Sequence, residues 1–277
     1  MGLRVNTNIS SLMAQRNLGM TKLDLDKHLN RLSSGSRINS AGDDAAGLAI
    51  SERLRAQIRG LKQAKRNAQD GVSLIQVSEG GLNEVSNILI RLRELAIQSA
   101  SDTIGDRERS FTDREFQALK SEMDRIAIST SFNGTPLLAG TAGIFEIQVG
   151  TGNNPLTDRI SYDAQNANVT LESLGMVGES VASKQGSQVT LGVIDDALSH
   201  VNQIRSDLGA MQNRLQSTIN TLSVNDENLA AANSRIRDAD LAEEVSEMTK
   251  DNILMQAGIS VLSQANKSTE TMLKLLS

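Results

Sequence analysis

VSEMTKDNILMQAGISVLSQANKSTETMLKLL, residues 245–276, carries its apolar residues in alternating steps of three and four. Val245, Met248, Asn252, Met255, Ile259, Leu262, Asn266, Thr269, Leu273 and Leu276 occupy the a and d positions of a heptad repeat, with polar residues at three of them. Asp240 and Glu243 lie three residues apart just upstream, the spacing of a capping box, so a helix is expected from about 240 to the end. Its central part, NILMQAGISVLSQAN (252–266), has no charged side chain. A helix this apolar in an acidic chain calls for a covering partner.

The N-terminal end mirrors it. Val5, Ile9 and Leu12, then Leu18, Leu25, Leu29 and Leu32, mark a second amphipathic segment with a phase shift around Arg16 to Gly19. SSGSRINSAGDD (33–44) interrupts it, since Gly, Ser and Asn disfavour helix interiors and supply turns; this predicts a hinge or linker. Asp43 and Asp44 have the form of paired carboxylates for acid/base or metal chemistry. Acids beside small residues at a helix start more commonly cap orphan N–H groups, and that is the reading adopted.

Beyond the linker, helical spacing runs unbroken from Leu54 through Leu95 to about residue 100. Arg55, Arg59, Lys62 and Arg66 flank the apolar stripe there. No aromatic residue interleaves with them, so they read as solvated or salt-bridging positions rather than a nucleic-acid patch. A turn at 101–108 leads to a third helix, about 106–129, ended by Asn133-Gly134. IFEIQVGTGNN, RISYDA and NVTLESL then suggest two or three strands with a hairpin between about 141 and 173. Helix resumes near 187 and continues to about Arg235. The order is nearly palindromic, which allows the two ends of the chain to lie side by side. The expected fold is mainly α: an elongated antiparallel helical bundle or coiled coil, its termini paired, with a small β-hairpin subdomain.

Composition agrees. Aromatics make up 2% of the 277 residues, so a core built on large rings is excluded and small aliphatic helix contacts are favoured. The net charge of −5 gives no electrostatic reason to expect nucleic acid. With no cysteine there is no disulfide and no thiolate site. No stretch reaches the length of a membrane span, and the N-terminus lacks the pattern of a Sec signal, so secretion, if it occurs, uses another route. His28 and His200 lie far apart without ligand spacing and read as surface or interface residues. There is no HExxH, phosphate-binding loop, dinucleotide fingerprint or nucleophile elbow. No enzyme, cofactor or metal site is expected.

Long stretches of the chain resemble a known family. LSSGSRINSAGDDAAGLAISERL (32–54) and GLKQAKRNAQDGVSLIQVSEGGLNEVSNILIRLRELAIQSAS (60–101) resemble the N-terminal region of bacterial flagellin. LGVIDDALSHVNQIRSDLGAMQNRLQSTINTL (191–222) and RIRDADLAEEVSEMTKDNILMQAGISVLSQAN (235–266) resemble its C-terminal region. The resemblance spans 1 to about 135 and 190 to 277. It implies an inner coiled-coil domain from 1–40 and 237–277, a rod domain from 41–140 and 186–236, and a hairpin with a short remnant of the variable region at 141–185.

The same resemblance implies a secreted subunit that polymerises with itself into the extracellular flagellar filament for swimming. It would leave through the flagellar type III system without a cleaved signal peptide, and a hook–filament junction protein of the same superfamily is the rival. Implied partners are an export chaperone at the C-terminal helix, the filament cap and the hook-associated junction proteins. IRLRELAIQSA (90–100) looks like the stretch recognised by the vertebrate Toll-like flagellin receptor, which would place Arg91, Leu95 and Gln98, with Glu115 alongside, in that surface. The polymerisation seam is expected at Val5, Ile9 and Leu12 and, on the last helix, at the heptad positions from Val245 to Leu276. Asn252 and Asn266 would fix register there, at some cost in stability. Both termini are expected to be largely disordered in the monomer and to fold on assembly, because one apolar stripe cannot offset the entropy of ordering so long a helix.

Overall fold

In a computed structural model the described residues are 7–276, with side chains described through residue 267. Val5 therefore lies outside them, as do the side chains of Leu273 and Leu276. The main helices are α1 (Ile9–Ser34), α2 (Ala45–Ala100), α3 (Asp106–Ser129), α5 (Lys184–Arg237) and α6 (Leu241–Leu276). Four short strands, β1 (Ser131–Phe132), β2 (Thr135–Pro136), β3 (Ile144–Gln148) and β4 (Arg159–Asp163), and a one-turn helix α4 (Pro155–Asp158) stand between α3 and α5. The chain divides into two compact units, residues 1–58 with 228–277, and residues 59–227.

In the first unit α1 and α6 run antiparallel. Asn8 caps α1 through its Oδ1, which accepts the Ser11 N–H at 3.0 Å, and its Nδ2 reaches the Ala265 carbonyl at 2.9 Å. Asp240 caps α6, its Oδ1 accepting the N–H groups of Ala242 and Glu243. The segment expected as a hinge or linker joins α1 to α2 and is tied down. Gly35 ends α1 in the left-handed conformation, φ 66°, which glycine adopts without the clash a Cβ would bring. Beyond it the chain bonds the C-terminal linker: Arg37 N–H donates to the Arg237 carbonyl at 2.6 Å and Ala239 N–H to the Gly35 carbonyl at 3.0 Å. Arg237 also pairs with Glu52 at 2.6 Å, and Ile38 is buried.

Asp43 and Asp44 are caps. Asp44 Oδ1 accepts the Gly47 N–H at 2.9 Å at the start of α2. Asp43 closes the preceding turn, accepting from the backbone of Ser40 and Asn39 and from the Ser40 hydroxyl, and these bonds hold its carboxyl below the usual range.

The second unit is built on the heptad stripe of α2 formed by Ala68, Ile75, Leu82, Leu89 and Leu92, all without exposed surface. Phe116, Met123 and Ala127 of α3, and Ile194, Val201 and Leu215 of α5, complete this core. The turn from α2 to α3 is held by Arg109, 7% exposed. Its guanidinium donates to the carbonyls of Ser99 and Ser101 and to Asp106 Oδ1, satisfying helix-end acceptors that would otherwise be orphaned.

Two expectations need correction here. Asn133-Gly134 does not end α3, which stops at Ser129 with Thr130 as its cap. Both residues have positive φ, 49° and 80°, and form the two-residue turn joining β1 to β2, the hairpin geometry that Asn-Gly favours. NVTLESL is not a third strand. Asn168 Oδ1 accepts both the N–H and hydroxyl of Thr170, and this local bonding winds the segment into turns that bury Val169 and Leu174.

The hairpin β3–β4 pairs antiparallel, Phe145 opposite Tyr162 and Ile147 opposite Ile160. Gly71 of α2 permits its approach, since a Cβ there would stand 2.5 Å from Ile147 Cδ1. At the hairpin's far end the N–H groups of Val149 and Gly150 both donate to the Asp158 carbonyl, and Leu156 is 88% exposed on α4.

Candidate functional site

The terminal pair is the first candidate. Within α1 the side chains turned toward α6 are Ser11, Ala14, Leu18, Thr21, Leu25, His28 and Leu32, each buried or half-buried. Within α6 they are Glu244, Met248, Asp251, Met255, Gly258, Leu262 and Ala265. Both sets alternate in steps of three and four, so each is a heptad stripe. Only part of the expected seam lies in it. Met248, Met255 and Leu262 do, whereas Ile9 (51%), Leu12 (57%), Val245 (46%) and Ile259 (55%) are exposed, as are Asn252 and Asn266.

The physical reason is register. Gly258 meets Leu18 so closely that a Cβ would stand 3.2 Å from Leu18 Cγ, and Ser11, Ala14 and Ala265 are also small. These positions let the backbones approach beside Leu18, Leu25, Leu32, Met248, Met255 and Leu262, and the apolar side chains one step round each helix, Ile9, Leu12, Val245 and Ile259 among them, fall on the outer flanks. Asn266 still reaches across, accepting the Ser11 hydroxyl at 2.9 Å.

Polar side chains close the other end of the stripe. His28 Nδ1 is hydrogen-bonded to Glu244 Oε2, Arg31 Nη1 donates to Glu244 Oε1 at 3.0 Å, and His28 Nε2 stands 3.7 Å from Asp251 Oδ2. Burial works to raise the Glu244 carboxyl, but the bonds from His28 and Arg31 outweigh it and hold the group below its usual range. Sequence reasoning missed this cluster. The signal available was register: in an antiparallel pair that sets Asn8 beside 265 and Leu18 beside 258, His28 falls opposite the acidic first turns of α6.

The second candidate is the surface shared by α2 and α3. Arg91 donates to Glu115 Oε1 through Nε (3.1 Å) and Nη2 (2.9 Å), and to Glu94 Oε2 through Nη1 (2.8 Å). Arg91, Gln98 and Glu115 are exposed; Leu95, at 2%, is not. It lies on the flank of the buried stripe beside Leu92 and Ala96 and belongs to the core, so it is removed from that surface. Ile90 (49%) and Ile97 (50%) are the exposed apolar residues of this face.

Among the described residues no group of three or more His, Asp or Glu side chains is arranged to hold a metal, and no helix is long and apolar enough to cross a membrane.

Comparison with known proteins matches residues 5–143 to the bacterial flagellin N-terminal helical region and residues 191–276 to the bacterial flagellin C-terminal helical region. A flagellin of Halalkalibacterium halodurans is 46% identical over 272 residues, covering 98% of this chain and 99% of that one. The flagellar filament 33 kDa core protein of Treponema phagedenis is 41% identical over 289 residues, covering 98% and 99%. Among solved structures, a crystal structure of Bacillus cereus flagellin superposes with a TM-score of 0.51 at 31% identity, covering 61% of this chain and 94% of that one. A putative hook-associated protein of Vibrio parahaemolyticus, at 17% identity, TM-score 0.59 and coverage of 71% and 100%, shares the fold.

Proposed function

The chain belongs to the bacterial flagellin family and is a filament subunit, and we propose that it polymerises through the outer flanks of its terminal helix pair. One observation supports this most: with α1 and α6 already paired through one stripe of leucines, methionines and small or polar residues, Ile9, Leu12, Val245, Ile253, Ile259 and Val261 remain exposed. A pair that keeps so many large apolar side chains outside its own contact is half of an interface. Copies of the same chain supply the other half.

In this reading residues 1–40 and 237–277 form the filament's inner layer, 41–140 and 186–236 the surrounding rod, and 141–185 the outward hairpin. Both terminal helices are loosely held in the monomer and order on assembly, because Leu18, Leu32, Met248, Met255 and Leu262 are no more than half-buried between them. The export chaperone takes the C-terminal helix before assembly, with type III export, the filament cap and the junction proteins completing the route. Arg91, Gln98 and Glu115 form a receptor-facing surface in the free subunit that assembly covers.

Electron microscopy of the purified protein after seeding tests the reading. Long filaments are expected from the wild type, and Ile259→Asp should block them, since a carboxylate would be carried into the apolar contact. Short caps or rings without extension would favour a junction protein, and full-length filaments from Ile259→Asp would overturn the assignment of the flank. Brief proteolysis supplies a second check: about 40 residues should be lost from each end of the monomer and retained in the polymer.

A further inference from the structure

We propose that His28, seated between the carboxylates of Glu244 and Asp251, is a proton-operated latch: the doubly protonated ring tightens the docking of α1 on α6. The argument rests on donors and acceptors. A neutral imidazole carries one N–H and can serve one carboxylate, whereas an imidazolium carries two and can serve both. His28 Nδ1 is bonded to Glu244, and Nε2 points to Asp251 Oδ2 at 3.7 Å. Asp251 is 7% exposed, and its Oδ2 is buried without a hydrogen-bond partner. An unpaired buried carboxylate oxygen is costly, and the nearest donor position is the ring nitrogen that protonation would fill.

Other charges near the cluster do not fill that position. Arg31 on α1 is committed to the far oxygen of Glu244. Lys250 adjoins Asp251 along α6, yet it is exposed and bonds Glu247 at 2.9 Å. Asp24, one turn back on α1, and Lys27, next to His28 in the chain, are both exposed, and Glu247, half-buried on α6, is an acceptor already bonded by Lys250. When α1 leaves α6 the imidazole loses both carboxylates, so the docked pair favours the doubly donating form. Docking then strengthens on protonation of the ring, and weakens again where Glu244, whose carboxyl is held low, takes up its proton. The latch is internal to one chain and does not rest on the polymer reading.

Hydrogen–deuterium exchange of the full-length protein, corrected for the intrinsic pH dependence of exchange, measures it directly. Exchange is read on the form the wild type adopts, and filament formation is scored separately by microscopy of the same samples. Between about pH 8 and about pH 6, protection of α1 and α6 amides should rise roughly three- to tenfold while that of α3 stays level. His28→Gln keeps a polar side chain that does not titrate and should flatten the slope, and Asp251→Asn should reduce it. Equal slopes in the wild type and both variants would overturn the latch, as would an absence of protection at every pH. Should His28→Gln fail to fold or assemble, Asp251→Asn alone decides: a wild-type slope there also overturns it.

Discussion

Ile259→Ala isolates the assembly flank from the fold. The side chain is 55% exposed in the chain by itself, so shortening it removes little internal packing. Alanine is also the better helix former, so α6 is not weakened locally. Fully burying an isoleucine contributes about 1.5 to 3 kcal/mol, and about half of that surface is still open here. Alanine retains the β-carbon, which leaves a loss of about 1 kcal/mol per subunit added, or a roughly fivefold rise in critical concentration. Seeded polymerisation followed by sedimentation of the polymer measures that concentration directly. Melting of the isolated subunit should stay level. A critical concentration within about twofold of wild type would refute the placement of Ile259 between copies.

Two further outcomes follow from the same structure. The adjacent glycines of α2 should respond in opposite directions. A Cβ on Gly80 meets nothing within 4 Å, so Gly80→Ala gains up to about 1 kcal/mol from helix propensity. On Gly81 it would stand 2.7 Å from Thr130 Oγ1 and 2.8 Å from Leu138 Cδ1, so Gly81→Ala costs about 1 to 3 kcal/mol before that gain, and urea unfolding midpoints should separate the two. For Glu244, whose carboxyl is held below its usual range, the contribution to docking is full above an ordinary glutamate value of about 4.3 and is lost as pH falls through the lower docked value. Protease resistance of α6 in the polymer should therefore fall in strong acid, and Glu244→Gln, weaker at neutral pH, should lack that acid step.

Long helices were legible because their apolar stripes recur over many turns. The stretches from Leu54 to Leu95 and from Leu191 to Leu222 left no competing period, and α2 and α5 follow them closely. Short elements depend on local chemistry that the stripes do not report. Asn133-Gly134 carried a hairpin signal, yet β1 and β2 have two residues each, too few for any alternation to show. NVTLESL has strand-like composition, and the side chain of Asn168 outcompetes the ladder. At the terminal pair the period was legible and the face only in part: Leu18, Leu25, Leu32, Met248, Met255 and Leu262 lie in the contact, whereas Ser11, Ala14, Gly258 and Ala265 share it and a choice by hydrophobicity passes over them. Leu95 failed for a related reason, since burial changes within one step of about 100° around a helix.

The closed end of the β3–β4 hairpin has a practical corollary for protein engineering. Two N–H groups on the Asp158 carbonyl fasten the strands beneath residues 151–157, and Gln148 Nε2 and Arg159 Nη2 reach from the strand ends to the Gly152 carbonyl and Asn153 Oδ1. Closing a longer loop costs only about 0.6 kcal/mol for each doubling of its length. An epitope inserted beside Leu156, the 88% exposed residue of this tip, should leave the backbone pairing of Ile147 with Ile160 in place, making the tip a display site on a chain whose ends are occupied by helix pairing.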